Sequence, residues 1–219
     1  MLRKTFARFK KQKNNEVNSA ASPSVEFASL SGEVAKMLSS SGRIGLANLR
    51  KIAQEKDKEL FIRFMRQPVL AGAAIQAGRI ASQAAGGEEM NKTQIFEPSG
   101  TNPGAAPASE ALRHAIYPLV KGEYSTTSSK TFTVGRVDGN DMIMPDFAIS
   151  KKHAIISTDG SAFYLKDLGS TNGTLVNGAR LDKKSVKIHD KDVLSFARYE
   201  FTFLFPSSLQ KMLIGSENG

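Results

Sequence analysis

The feature of this sequence that most limits its fold is a series of short apolar runs, separated by turn residues, that begins at Tyr117. Asp159-Gly160 and Asn177-Gly178 each stand between two such runs, and both dipeptides are strong signals for a short β-hairpin. Alternating phenylalanines mark one face of a last strand: Phe201, Phe203 and Phe205. Short strands at this spacing predict an antiparallel β-sandwich or barrel in the C-terminal part of the chain.

A helical pattern precedes the β runs. Apolar side chains recur at helical spacing among Lys and Glu residues: Leu49, Ile52, Ala53, Leu60, Phe61 and Phe64. Pro68 lacks an amide N–H and is expected to break this helix. The small apolar residues from Val69 to Ala81 predict a second helix, which Gly86-Gly87 would end.

These patterns divide the chain into five predicted segments. A basic segment, predicted to be disordered, covers residues 1–30, and a helical region of unknown role covers 31–86. A flexible linker rich in Gly, Pro, Ser and Ala follows at 87–114. The β domain covers 115–210, and 211–219 form a C-terminal tail. The fold class is therefore predicted to be mainly β, with helices before it.

Composition excludes several classes of site. The chain has no cysteine, which removes disulfides, thiolate metal sites and cysteine nucleophiles. Its three histidines do not lie at metal-ligand spacing, and no carboxylate pair or nucleophile–base set stands out. We therefore predict a binding protein without catalytic residues, metal or cofactor. Without a spanning apolar stretch of about 20 residues or a secretory signal, it is expected to be cytoplasmic.

Three loop motifs in the β half carry the chemistry. They are Thr133-Val-Gly-Arg136, Ser150-Lys-Lys-His153, and Asp167-Leu-Gly-Ser-Thr-Asn-Gly-Thr174 followed by Val176-Asn-Gly178. Each motif alone is weak, because Gly-Arg and Asn-Gly turns are common. In this order and spacing, over about residues 115–207, they resemble the forkhead-associated (FHA) domain, which implies a β-sandwich that binds phosphothreonine.

The resemblance also implies a set of binding residues. Arg136, Ser150 and Thr171 would contact the phosphate, Lys151 would add a second cation, and Asn172 would hold the peptide main chain. Such groups suit a phosphate dianion, because charge-assisted hydrogen bonds are about twice as strong as neutral ones. Loops at one end of a rigid sandwich can bring them together.

Other residues in these motifs are expected to support the loops. Gly135 would permit a backbone conformation that other residues resist, and Gly173 would serve the third loop. The resemblance implies that His153 braces the binding loops rather than acting in catalysis. Ala148 stands where some family members carry an arginine that reads residues after the phosphothreonine, so the resemblance implies no further peptide selectivity.

The basic excess behind the net charge of +9 lies mainly in the N-terminal half. In residues 1–13, Leu2, Phe6 and Phe9 fall at helical spacing among six Lys and Arg residues. This pattern fits weak contact with an anionic membrane surface, a nucleic-acid arm, or a basic tail that only aids solubility. The alternative function is therefore a scaffold associated with a membrane surface or nucleic acid through its N-terminus.

Thr93 is a candidate phosphoacceptor. Its surroundings, Asn91-Lys-Thr-Gln-Ile-Phe96, resemble the acceptor sites of small bacterial FHA proteins, in which a Ser/Thr kinase modifies a tail threonine that the same FHA domain sometimes binds. The alternative is an unmodified linker threonine. We predict a phosphothreonine-dependent adaptor in Ser/Thr kinase signalling, whose partner is a phosphothreonine-containing protein or its own phosphorylated tail.

Overall fold

A computed structural model of the chain describes residues 34, 36–72, 115–121 and 125–215. The helices are α1 (Leu46–Glu55), α2 (Lys58–Met65) and α3 (Pro206–Gly215). The strands are β1 (Val69–Gly72), β2 (Ile116–Pro118), β3 (Thr131–Gly135), β4 (Met142–Ile143), β5 (Ala154–Thr158), β6 (Phe163–Asp167), β7 (Thr174–Val176), β8 (Ala179–Arg180), β9 (Val186–Ile188), β10 (Val193–Phe196) and β11 (Tyr199–Leu204).

The strands form two sheets. A six-stranded sheet has the order β2-β1-β11-β10-β7-β8, and a five-stranded sheet has the order β4-β3-β5-β6-β9. Neighbouring strands pair antiparallel, apart from the parallel pair β3 and β4. The predicted β-sandwich is therefore confirmed, with one parallel pair that the sequence did not indicate.

Alternating apolar residues of both sheets fill the space between them. The rings of Phe163 and Phe203 lie 5.3 Å apart, and Tyr117 meets Phe201 edge-on at 6.0 Å. Each fully buried side chain of this size contributes about 1.5–3 kcal/mol of hydrophobic stabilisation. This core holds the two sheets as a rigid support for the loops at their ends.

The hairpin turns predicted from dipeptides are present. Asp159-Gly160 lies in a four-residue loop (159–162) between β5 and β6, which pair antiparallel over five residues. Asn177 and Gly178 join β7 to β8 with φ angles of +49° and +80°. Positive φ at both central residues fits the right-handed twist of the flanking strands, and Asn-Gly adopts it at low cost.

Strand β1 corrects one prediction. Val69–Gly72 is not a helix but a strand between β2 and β11. Leu70 points into the sandwich core, whereas Val69 and Ala71 pack into a second apolar core on the other face of the sheet. A strand buried on both faces has no polar alternation, so its local sequence resembled a continuing small-residue helix.

Helices α1 and α2 cover that outer face. The predicted helical side chains Leu49, Ile52, Phe61 and Phe64 are buried in the second core, but Leu60 is 51% exposed. Asp57 starts α2 by accepting a hydrogen bond from the Leu60 N–H at 2.9 Å. As predicted from Pro68, helical structure ends before β1 begins.

Helix α3 corrects a second prediction, because it includes residues 211–215 of the expected C-terminal tail. Leu209 and Leu213 are buried against α1 and α2. The buried Gln210 amide donates to the carbonyl oxygens of Ala53 at 3.3 Å and Lys56 at 2.9 Å. It thereby satisfies carbonyls at the C-terminal end of α1, which have no partner within that helix.

The predictions for residues 1–30, for the whole linker (87–114) and for Thr93 lie outside the described residues. The five domain boundaries stay a prediction, although β1 joins part of the 31–86 region to the sandwich. None of the described helices is long and apolar enough to cross a lipid bilayer.

Candidate functional site

Two of the predicted phosphate ligands meet at one end of the sandwich. Ser150, in the loop between β4 and β5, accepts a hydrogen bond from the Thr171 N–H at 3.0 Å through its Oγ. The two side-chain oxygens are 3.5 Å apart. Thr171 is exposed and Ser150 half-buried, so two hydroxyl groups from different loops face solvent side by side.

His153 connects the same two loops from below. Its side chain is fully buried; Nδ1 accepts the Ser150 N–H at 3.1 Å, and Nε2 lies 3.1 Å from the Gly173 carbonyl oxygen. The neutral imidazole that fits both contacts carries its proton on Nε2. Burial lowers the pKa of His153, opposed in part by the bond to Gly173 and by the charge of Asp167.

Asp167 organises the loop that carries Thr171. Its carboxylate accepts the N–H groups of Gly169 at 2.7 Å and Ser170 at 2.9 Å, and the hydroxyls of Ser170 and Thr174 at 2.6 Å each. Burial would raise the pKa of Asp167, but these four bonds together lower it. We assigned no role to Asp167 from the sequence; its signal was an aspartate two residues before glycine, typical of an Asx turn.

Gly135 allows two loops to approach each other. A Cβ atom there would lie 2.3 Å from the Lys151 carbonyl oxygen and 2.5 Å from Nδ2 of Asn140. That amide donates to the carbonyls of Val137 at 2.8 Å and Lys151 at 2.9 Å. The backbone of Gly135 is not in the left-handed region, so the expected reason for a glycine is corrected: the site requires space, not an unusual φ.

Arg136 lies deeper than a surface ligand. Its side chain is only 1% exposed, and its guanidinium carbon is 5.7 Å from the centre of the Phe147 ring. Its backbone N–H donates to the Ser150 carbonyl at 3.1 Å. Burial lowers the pKa of Arg136, and the nearby charge of Asp146 opposes that shift. Lys151, by contrast, is exposed beside Ser150.

A buried charge cluster fixes the loop before Ser150. Asp146 pairs with Arg198 at 2.7 Å, accepts the Tyr199 hydroxyl at 2.5 Å, and accepts the Ala148 N–H at 2.8 Å. Burial, followed by the bond to Asp146, raises the pKa of Tyr199. Arg198 and Tyr199 lie 52 and 53 positions after Asp146 in the sequence, so no local pattern could reveal the cluster.

Asn172 and Gly173 complete the third loop. The Asn172 amide donates to the Ala148 carbonyl at 2.8 Å, so it joins the second and third loops. Gly173 has a φ of +85°, in the region that favours glycine. Among the described residues, no three His, Asp or Glu side chains cluster as metal ligands would.

Comparison with known proteins matches part of this chain to a protein family. The FHA domain model matches residues 132–197. FHA domain-containing protein FhaB of Mycobacterium tuberculosis is 32% identical over 104 residues, which cover 41% of this chain and 67% of FhaB. An FHA domain-containing protein of Arabidopsis thaliana is 44% identical over 71 residues, which cover 32% of this chain but only 18% of that protein.

Two solved structures are also similar to part of this chain. Mycobacterium tuberculosis EmbR, in complex with a low affinity phosphopeptide, aligns with 28% identity and a TM-score of 0.35 over 41% of this chain and 21% of that one. The FhaA FHA domain, complexed with the intracellular domain of Rv3910, aligns with 30% identity and a TM-score of 0.32 over 37% and 88%. On the family match and the extent of the likeness to FhaB, this chain belongs to the FHA-domain proteins.

Proposed function

We propose that this chain is a phosphothreonine-dependent protein-binding adaptor, acting by binding rather than by catalysis. The observation that carries the proposal is the meeting of Ser150 and Thr171 at 3.0 Å, from loops 21 residues apart in sequence. Two hydroxyls, nearby backbone N–H groups and the Lys151 ammonium are groups that bind a phosphate dianion well. The phosphopeptide complex of the similar protein EmbR supports the same ligand class.

The charges around Ser150 and Thr171 support an anionic ligand. Asp167 is occupied by four hydrogen bonds from its own loop, and Asp146 is paired with Arg198. These two carboxylates are therefore already compensated and repel an incoming phosphate less than unpaired ones would. The exposed cation of Lys151 adds direct attraction.

Arg136 can bind the phosphate only after a neighbouring side chain moves. Arg136 is 1% exposed, so an incoming phosphate has almost no access to its guanidinium. The Phe147 ring is half-buried and lies 5.7 Å from the guanidinium carbon, and we infer that a rotation of this ring would open access. We infer that phosphate first meets Ser150, Thr171 and Lys151 and pairs with Arg136 once Phe147 has turned away.

Calorimetric titration of the full chain with a phosphothreonine peptide and its unphosphorylated twin tests the proposal. Ser150→Ala and Thr171→Val should each weaken binding by roughly 1.5–3 kcal/mol, the range for a hydrogen bond to a charged group. Ser157→Ala is a matched control, because Ser157 lies on β5 away from the three loops. Equal affinity for the phosphorylated and plain peptides would refute the function.

A finer proposal is that Thr93, once phosphorylated by a Ser/Thr kinase, binds to this site in its own chain. Gly72 is the last described residue before the Thr93 segment and Ala115 is the first after it, and the Gly72 N–H donates to the Ala115 carbonyl at 2.9 Å. Gly72 pairs with Phe201, which lies two residues after the start of β11. The turn before β11 lies beside the third binding loop, because the Ala197 N–H donates to the Gly173 carbonyl. Both ends of the Thr93 segment therefore lie at the binding-loop end of the sandwich.

Reach and local concentration support self-capture. Thr93 is 21 residues from Gly72, a distance in sequence that can span at most roughly 70 Å. Tethering at this range raises the concentration of the site to the order of millimolar, which lets a weak contact compete with free partners. The site would be open when Thr93 is bare and closed when it is phosphorylated, or would be filled by a second chain in a dimer.

Phosphorylation by a bacterial Ser/Thr kinase, followed by titration with a phosphopeptide, tests this switch. The phosphorylated chain should bind the added peptide more weakly than Thr93→Ala treated in the same way. The NMR signals of Ser150 and Thr171 should shift upon phosphorylation, and light scattering separates self-capture from dimer formation. Unchanged affinity together with unmoved signals would rule out capture but leave phosphopeptide binding intact.

A further inference from the structure

An exposed arginine with no role so far lies against the Thr171 loop. Arg180 ends β8, opposite Leu175 of β7. Its guanidinium lies directly on Gly173, where a Cβ atom would be 2.5 Å from Cζ and Nη2. Its Nη1 also points toward the Asn172 carbonyl at 3.4 Å. The charged group therefore borders the residues proposed to hold the peptide main chain.

The position of Arg180 is set by a short hairpin. Asn177 and Gly178, both at positive φ, make the tight turn that brings β8 back along β7. The planar guanidinium lies on the flat glycine surface, which limits its freedom before any ligand arrives. Within the described ranges, Arg180 makes no ion pair with a carboxylate. Apart from Nη1, which donates to the Asn172 carbonyl at 3.4 Å, its hydrogen-bond donors can therefore bind an anion from solvent.

The loop after β8 adds positive charge on the same side. Leu181 donates its N–H to the Thr174 carbonyl at 2.9 Å, which keeps this loop at the binding end. Lys183 and Lys184 follow, both exposed. The intervening Asp182 accepts the Lys184 N–H at 2.7 Å. Cations therefore outnumber carboxylates in this short loop, beyond the place of the phosphothreonine.

We propose that Arg180 is a specificity-determining residue that binds a second anionic side chain of the phosphopeptide, near the residues held by Asn172. The group would be a carboxylate or a second phosphate, since both accept two parallel hydrogen bonds from a guanidinium. This proposal rests on the proposed function, because it places the added anion beside a phosphothreonine bound at Ser150 and Thr171.

The test uses the full chain and a neutral phosphothreonine peptide in which a single aspartate is moved through each flanking position. Fluorescence anisotropy should find one position where aspartate tightens binding about threefold to tenfold over the neutral peptide. In Arg180→Gln this ratio should fall to about one, and Arg180→Lys should keep part of it because it keeps the charge. Phosphoserine at the same position distinguishes a second phosphate from a carboxylate.

Lys130→Gln is the matched control for loss of one positive charge. Lys130 is exposed at the opposite end of the sandwich, where its carbonyl accepts the Thr158 N–H. This variant should keep the aspartate preference at the same ionic strength. Thermal melting of Arg180→Gln checks that this variant stays folded. If it does not, the aspartate preference is compared between Arg180→Lys and the wild type instead.

Two results would overturn the assignment of Arg180. The first is a wild-type chain that binds the phosphothreonine peptide but prefers aspartate at no position. The second is an Arg180→Gln chain that keeps the full preference. Failure of every phosphothreonine peptide to bind the wild type is a different outcome, which would refute the proposed function and the assignment of Arg180 with it.

Discussion

Replacing His153 with alanine should mainly destabilise the protein. The substitution removes the acceptor of the Ser150 N–H and the donor to the Gly173 carbonyl, each at 3.1 Å. It also removes a fully buried ring that meets Phe196 edge-on at 6.0 Å. Two lost hydrogen bonds and the cavity together should lower the free energy of unfolding by about 2–5 kcal/mol.

Differential scanning calorimetry measures this loss. For a protein of this size, the melting temperature should fall by roughly 4–20 °C. His189→Ala is the control, because that side chain is 67% exposed and its loss should change the melting temperature by no more than about 2 °C. If His153→Ala melted like the wild type yet bound no phosphopeptide, His153 would be a direct ligand and the bracing role would be wrong.

The pH dependence provides a second test at the same residue. Burial lowers the pKa of His153 in the folded state, so the unfolded chain binds the proton more readily. The stability from neutral His153 is therefore present above the unfolded pKa, about 6.5, and is lost as pH falls through the folded value. His153→Gln should lack this loss, whereas equal slopes for both proteins below about pH 6.5 would contradict it.

Four other perturbations have defined outcomes. Phe147→Ala should accelerate phosphopeptide association in stopped-flow mixing, because the ring contacts the buried Arg136 guanidinium and is proposed to limit access to it; an unchanged rate would show that the ring is no barrier. Asp141→Asn should lower the free energy of unfolding in urea by about 3–5 kcal/mol, since it removes the buried partner of Lys121 at 2.9 Å, and a loss below about 1 kcal/mol would argue against that pair. Deleting residues 1–13 should weaken binding to anionic vesicles in cosedimentation, by about 1 kcal/mol per basic residue, or else weaken a salt-sensitive gel shift of nucleic acid. Phosphopeptide binding should not change. If the full chain bound neither vesicles nor nucleic acid at low salt, residues 1–13 would only aid solubility. A chain that begins at residue 115 should unfold at lower urea than the full chain, because it lacks β1 and the helical cover, and equal midpoints would refute the need for β1.

Local chemistry explains which parts of the fold could be predicted. Asp159-Gly160 and Asn177-Gly178 specify their turns within a few residues, so both hairpins followed from sequence alone. The secondary structure of Val69–Gly72 depends instead on pairing with β2 and β11, which lie far away in sequence. Residues 211–215 likewise become helical through contacts with α1 and α2. Such long-range contacts cannot be predicted from the local sequence pattern.

The candidate site divides in the same way. Ser150 and Thr171 could be named from motif order, and the structure brings them together. Arg136 could be named from its motif, but its burial could not be predicted, because the contact between its guanidinium and Phe147 arises from how two loops pack. Arg180 was missed for a similar reason: only the hairpin geometry and the bare surface of Gly173 bring it to the third loop.

The central position of β1 affects how the protein can be made. Val69 pairs with Leu204, which the ribosome adds 135 residues later. At about 5–20 residues per second, the edge of β1 that pairs with β11 stays open for roughly 7–27 s, although β2 can pair with the other edge earlier. An open apolar strand edge invites association with other chains during that time. Production of this protein should therefore depend on holdase chaperones more than production of FHA domains that lack an early strand paired with a much later one.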